Sequence, residues 1–189
     1  MCLILLAEIP GCLIMRSTTA LPAPPYIGGK PLSAQIIHTP EGDMIASIPE
    51  GWILLNTQSK AGEATNLVLV DTLYSGVIFF ERLTLSTALP LENPLEFAAR
   101  ASFERTKTKT RDVATLSSSY QTFGVDNREF CSYEYSADRH RTENRVAVFN
   151  TGKHTYLCVA SQLSTEDKPM MKFSDLCSVQ QTLLDSVRW

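Results

Sequence analysis

Glycine is scarce in this chain, 9 of 189 residues, and none of it is arranged as a phosphate-binding loop or a collagen period. Nucleotide-loop and fibrous readings fall away. Positive charge is not in excess either: 17 Lys and Arg stand against 20 Asp and Glu, so nothing supplies the basic face that nucleic acid requires. Nucleic acid is therefore not expected as a partner. No apolar run approaches the roughly 20 residues that cross a bilayer as a helix, and no GxSxG, HExxH or EF-hand spacing occurs. Of the 5 cysteines, Cys2 and Cys12 lie near the amino end and Cys131, Cys158 and Cys177 in the body, without a CxxC pair. Neither a zinc site nor a disulfide framework is indicated. What remains is an ordinary globular composition, 44% hydrophobic and 20% charged, long enough to bury a core without a metal or disulfide staple.

Residues 1–29 differ in composition from the rest. Their charged side chains are Glu8 and Arg16, and Pro10, Pro22, Pro24 and Pro25 break any continuous helix. They read as a leader and a Pro-rich tether outside the fold, with residues 30–189 as a single domain that is expected to fold without them. Ile9-Pro10-Gly11-Cys12 resembles the lipobox of bacterial lipoproteins, with an aliphatic residue three before the cysteine and Gly just before it. Pro10 departs from that pattern, and the basic start of a secretory leader is missing. Four readings stay open: lipidation at Cys12, cleavage near Ala20, a start upstream of Met1, or a disordered amino end. The first implies peripheral membrane association through the amino end, and export by either of the first two gives an extracytoplasmic location, membrane-anchored or periplasmic.

The body is well punctuated. Ser33–His38 and Asp43–Ile48 flank Thr39-Pro40-Glu41-Gly42 and form a hairpin. Trp52–Leu55, Asn66–Asp71 and Gly76–Phe80 are β-branched and aromatic runs without clean alternation, which marks strands covered on both faces. Pro94 to about Thr106 is a helix capped by Asn93, whose Leu95, Ala98, Ala99, Ser102 and Phe103 share a buried stripe. Lys107–Ser119 reads as loop. Strands Tyr120–Val125, Arg128–Tyr135, Arg145–Phe149 and Tyr156–Ala160 follow, the last two joined through Asn150-Thr151-Gly152-Lys153. A hairpin centred between Thr151 and Gly152 pairs Arg145 with Cys158 and brings Cys131 near Ala147, leaving the two cysteines two strands apart, about 9.5 Å. Both are expected reduced and buried. A second helix runs from about Met170 to Val187, with Phe173, Leu176, Cys177, Leu183, Leu184 and Val187 on one face. Two helices and a largely antiparallel sheet, apolar on both sides, give an α+β fold arranged as an α/β/α sandwich.

Reactive groups do not converge. His38, His140 and His154 are scattered, and Arg139-His140-Arg141 reads as solvated charge. Asp71 and Glu81 each end an apolar strand, but a hairpin through Thr72–Ser75 sets them roughly 20 Å apart at about 3.4 Å per residue, too far for an acid/base pair. Trp52 and Tyr156 fit core or rim packing better than a ligand pocket. No catalytic residue, metal ligand or cofactor site is assigned.

The run Ile45-Ala46-Ser47-Ile48-Pro49-Glu50-Gly51-Trp52, then Leu67-Val68-Leu69-Val70-Asp71, then Gly152-Lys153-His154-Thr155-Tyr156-Leu157-Cys158-Val159-Ala160 before a terminal helix, resembles the PsbP-like superfamily over about Ser33 to Trp189. The resemblance implies an α/β/α sandwich, often exported and in bacteria often lipid-anchored, usually non-catalytic; the photosystem II extrinsic subunits are its named members. The function expected on this basis is a non-enzymatic exported domain that binds or stabilises a protein assembly, such as a membrane complex, at a membrane surface. The alternative is a small-molecule or lipid binding module with a pocket between sheet and helix.

Overall fold

The computed structural model describes residues 29–55, 65–85, 92–110, 114–116, 121–124, 126–137, 142–164 and 168–189. Strands β1 (Leu32–His38) and β2 (Ile45–Pro49) form the expected hairpin as a separate two-stranded ribbon. The main sheet contains β3 (Trp52–Leu55), β4 (Thr65–Asp71), β5 (Gly76–Arg82), β6 (Ala114–Leu116), β7 (Gln121–Phe123), β8 (Arg128–Ala137), β9 (Thr142–Asn150) and β10 (Thr155–Gln162). Its order is β3-β4-β5-β10-β9-β8-β6, with β7 also paired to β8, and every pairing is antiparallel. Helices α1 (Pro94–Thr110) and α2 (Phe173–Ser186) lie on opposite faces. This is the α+β, α/β/α arrangement read from the sequence.

Both faces are dry because the central strands are apolar in both directions. On one face Leu69, Ile78, Phe80, Phe149 and Tyr156 pack beneath Leu176, Leu183 and Leu184 of α2. On the other, Val146, Val148, Leu157 and Val159 meet Ala98 and Ala99 of α1. The ribbon lies beside α2: Ser47 N–H donates to Ser186 Oγ at 3.0 Å, and Ile45 and Arg188 exchange main-chain hydrogen bonds at 2.8 Å.

Four expectations need correction. The segment read as loop from Lys107 continues α1 to Thr110, and β6 lies within it; Lys107–Thr110 carry no apolar period, and the three residues of β6 are too few to show an alternation. Ser117–Ser119 fall outside the described residues. The helix α2 starts at Phe173 rather than Met170, because Lys172 is extended (φ −61°, ψ 136°). Asn93 does precede α1 as expected, and its main-chain carbonyl accepts from Phe97 N–H at 3.1 Å. The β9–β10 register is two residues from the expected one, with Arg145 opposite Ala160 and Cys158 opposite Ala147, because Thr151 N–H closes the loop on His154 carbonyl at 2.9 Å. A shift of two keeps every side chain on its face. Cys131 pairs with Val148 instead of Ala147, which turns it to the α1 side while Cys158 faces α2. Both are free and buried, as expected, with the sheet between them.

Trp52, only 6% exposed, joins the α2-side core where residue 76 has no side chain. A Cβ at Gly76 would sit 3.3 Å from the indole and 3.2 Å from Leu176 Cδ1, so this glycine makes the room that the ring occupies. Trp52→Ala is predicted to cost about 3 to 5 kcal/mol as a large-to-small core change. Denaturant unfolding measures it, and a loss under about 1 kcal/mol would mean the ring is not a core element.

Candidate interaction surfaces

Cys12 and Arg139-His140-Arg141 lie outside the described residues. Asp71 and Glu81 stand apart as expected, with Thr65 opposite Glu81 at the far end of β4. Each has a structural partner: Glu81 meets Arg105 at 3.3 Å, and Asp71 is buried in its own turn. Among the described residues, no three His, Cys, Asp or Glu come together in a way that could hold a metal ion.

A polar cluster that the sequence reading did not anticipate joins the β1–β2 loop to the β9–β10 loop. Asp43 Oδ1 accepts from Thr39 Oγ1 at 2.7 Å and from Tyr156 Oη at 2.8 Å, and Oδ2 accepts from Thr151 Oγ1 at 3.0 Å. Burial pushes the Asp43 carboxyl up, but the three hydroxyl donors, with His154 nearby, outweigh it and hold the group below its ordinary value. Burial and the Asp43 carboxylate push the Tyr156 phenol up. The cluster is a clamp between two hairpins. Its carboxylate has hydroxyls on both oxygens, so it is a poor candidate for a general base. A second missed residue is Arg145, fully buried beneath α2, whose guanidinium donates to Gln180 Oε1 at 3.1 Å and Gln121 Oε1 at 2.9 Å. Its place on the inward alternation with Ala147 and Phe149 was the available signal.

Three surface features could meet a partner. The helix α1 covers β8 and β9 but not the whole sheet, leaving a half-open cavity of about 180 Å³ floored by Phe79, Leu157 and Val159 and walled by Ser102, Thr106 and Tyr133. Tyr133 Oη shares hydrogen bonds with Ser102 Oγ at 2.8 Å and Thr106 Oγ1 at 2.9 Å. On the ribbon, the alternation that buries Ile37, Ala46 and Ile48 turns Leu32, Ile36 and Ile45 outward. They line a groove of about 220 Å³ together with Ser47, Ser186 and Arg188, and Ile36 is 66% exposed. Arg188 donates to the Asp185 and Val187 main-chain carbonyls and makes no ion pair among the described residues.

The third feature is the β4–β5 turn, Thr72–Ser75. Asp71 accepts from Leu73 N–H at 3.1 Å, Ser75 N–H at 2.6 Å, Gly76 N–H at 2.7 Å and Ser75 Oγ at 3.0 Å, so the carboxylate is consumed in fixing the loop. Tyr74 takes φ 57°, a left-handed conformation usually left to Gly or Asn. The turn holds Leu73 and Tyr74 outward, 65% and 49% exposed.

No protein-family model matches the chain, and no curated protein matches it in sequence. Solved structures do. The Ran-binding protein Mog1p of Saccharomyces cerevisiae is similar with a TM-score of 0.55 at 10% identity, over 84% of this chain and 96% of that one. Cyanobacterial PsbP (CyanoP) of Synechocystis sp. PCC 6803 is similar with a TM-score of 0.50 at 14% identity, over 82% of this chain and 91% of that one. The fold is PsbP-like. At these identities the likeness concerns fold alone, so the surfaces of this PsbP-like domain must be argued from its own residues.

Two predictions follow from the buried carboxylates. A depressed Asp43 pKa contributes stability above the unfolded carboxylate value of 3.8 and loses it as pH falls through the folded value. Tyr156→Phe should therefore cost about 1.5 to 3 kcal/mol near pH 7, the range of a hydrogen bond to a charged group, and less near pH 3. Equal losses at both pH values, by denaturant unfolding, would show that the bond does not depend on the charge. In the other turn, Tyr74→Gly should stabilise the domain by about 1 kcal/mol by removing the left-handed strain. A lowered denaturant midpoint for that variant would mean the ring's own contacts outweigh the strain.

Proposed function

We propose that this chain is a non-enzymatic, exported PsbP-like domain that binds or stabilises a protein assembly at a membrane surface, held there by its amino end. The observation that carries the binding role is the outer face of the ribbon, where Leu32, Ile36 and Ile45 are exposed side by side with Arg188 at the groove. A patch of this kind, apolar with a charged margin, is the ordinary form of a protein contact. The charge indicates what the partner carries: an apolar segment flanked by a carboxylate that pairs with Arg188. Mog1p, named as Ran-binding, is an example of this fold engaged with another protein. The pocket alternative is weaker, because the space between α1 and the sheet is about 180 Å³, below the roughly 300 to 1,000 Å³ of typical ligand sites.

Anchoring rests on the sequence. Among the described residues no helix is long and apolar enough to cross a membrane, so a membrane location of the kind proposed depends on the segment that contains Cys12. A diacylated cysteine supplies the two chains that stable anchoring needs. The expected outcome is that native protein fractionates with membranes, that Cys12→Ala is released, and that the mature mass begins at Cys12 with acyl chains. Capture from those membranes should recover the same protein neighbours with wild type and not with the Ile36→Asp/Ile45→Asp double variant, whose thermal midpoint should hardly move because both positions are exposed. Cytoplasmic protein with a mass beginning at Met1 would overturn export and anchoring. Unchanged neighbours for the double variant would overturn the ribbon as the contact face.

A further inference from the structure

We propose that the Thr72–Ser75 turn is a bilayer contact, in which Leu73 enters the boundary of the acyl chains and Tyr74 and Lys168 lie at headgroup level. The turn belongs to neither cavity, and it displays two large side chains outward. Its display is built: Asp71 spends four hydrogen bonds on the loop, and Tyr74 is kept in a left-handed backbone. Lys168 is drawn to the same place, its Nζ donating to Leu73 carbonyl at 3.2 Å and lying 5.5 Å from the centre of the Tyr74 ring. Met170, 40% exposed, follows two residues later. An aliphatic tip, a ring with one polar end and a cation on a flexible stem are the side chains that settle at a lipid–water interface. A protein partner would need a matching socket for a protruding tip, whereas a bilayer deforms to receive one.

The proposal rests on the membrane-held reading and gives it an orientation. An anchor at Cys12 does not by itself select the face that the domain presents to the membrane. A second contact, even a weak one, then selects one face because tethering makes its effective concentration high.

The test is partition of the full chain carrying Cys12→Ala, produced without acylation, onto phosphatidylcholine vesicles with and without phosphatidylglycerol. In that background Leu73→Asp and Tyr74→Ser should each lower the partition coefficient about tenfold, and Ile36→Asp should leave it unchanged. Both turn side chains are exposed, and the Asp71 bonds go to main-chain N–H groups and Ser75, so these variants keep the fold. As a second readout, Tyr74→Trp should be quenched by lipids brominated near the headgroup end of the acyl chain. Equal partition of all variants, or no partition at millimolar lipid, overturns the proposal. Loss of a protein partner by Leu73→Asp with vesicle binding untouched also overturns it and makes the turn a protein contact. Failure of the membrane-held reading appears separately, as unprocessed cytoplasmic protein, and vesicle partition does not depend on it.

Discussion

The pairing of β10 with β5 joins two antiparallel meanders, β3-β4-β5 and β8-β9-β10, that are separated in the chain by α1 and the short strands β6 and β7. Bringing such distant strands together costs loop entropy before any contact offsets it. The compensation is that Tyr156, Cys158 and Ala160 face one core while Leu157 and Val159 face the other, so β10 is desolvated on both sides. A seam buried on two faces requires a cover on each. The helices α1 and α2 and the ribbon follow from that requirement.

Two aspartates illustrate how the same chemistry serves different ends in this fold. Asp43 and Asp71 are both buried, and neither makes an ion pair among the described residues. Each is stabilised by several donors, which is the condition for keeping a carboxylate out of water. Asp43 gathers hydroxyls from two hairpins and draws the ribbon's loop onto the end of β10. Asp71 gathers main-chain N–H groups from its own turn and stiffens a protrusion. One closes the domain, and the other shapes what the domain shows to its surroundings.

The two exposed apolar surfaces differ in shape. The ribbon offers a concave apolar groove with a cation beside it, suited to a side chain of a partner; the β4–β5 turn offers a convex tip, suited to a deformable layer. Both positions are exposed apolar residues on elements whose other face is fixed by the core. Exposed apolar residues raise the hazard of association, so their presence on rigid elements is what a binding role explains.

Much of this was legible locally. Turn residues at Thr39–Gly42 and Asn150–Lys153, apolar runs covered on both faces, and the stripe on α1 determined where strands and helices lie and that a helix must cover each side. The separation of Cys131 from Cys158 was readable from the same pattern. The length of α1 and the presence of β6 were not, because the Lys107–Thr110 end of the helix carries no apolar period and a strand of three residues is too short to show an alternation. Nor was the register of β9 on β10, since a slip of two residues preserves every inward and outward choice and only the closed Thr151–His154 loop selects between them. The Asp43–Tyr156 bond spans 113 positions, and Arg145 meets Gln180 and Gln121 only once α2 and β7 have docked. The sequence by itself determined most of the elements and their buried faces, because these depend on neighbours within a few residues. The tertiary structure decided which carboxylate became a clamp, which turn became a protrusion and which outward residues form one groove, because those properties depend on distances between segments that no local pattern encodes.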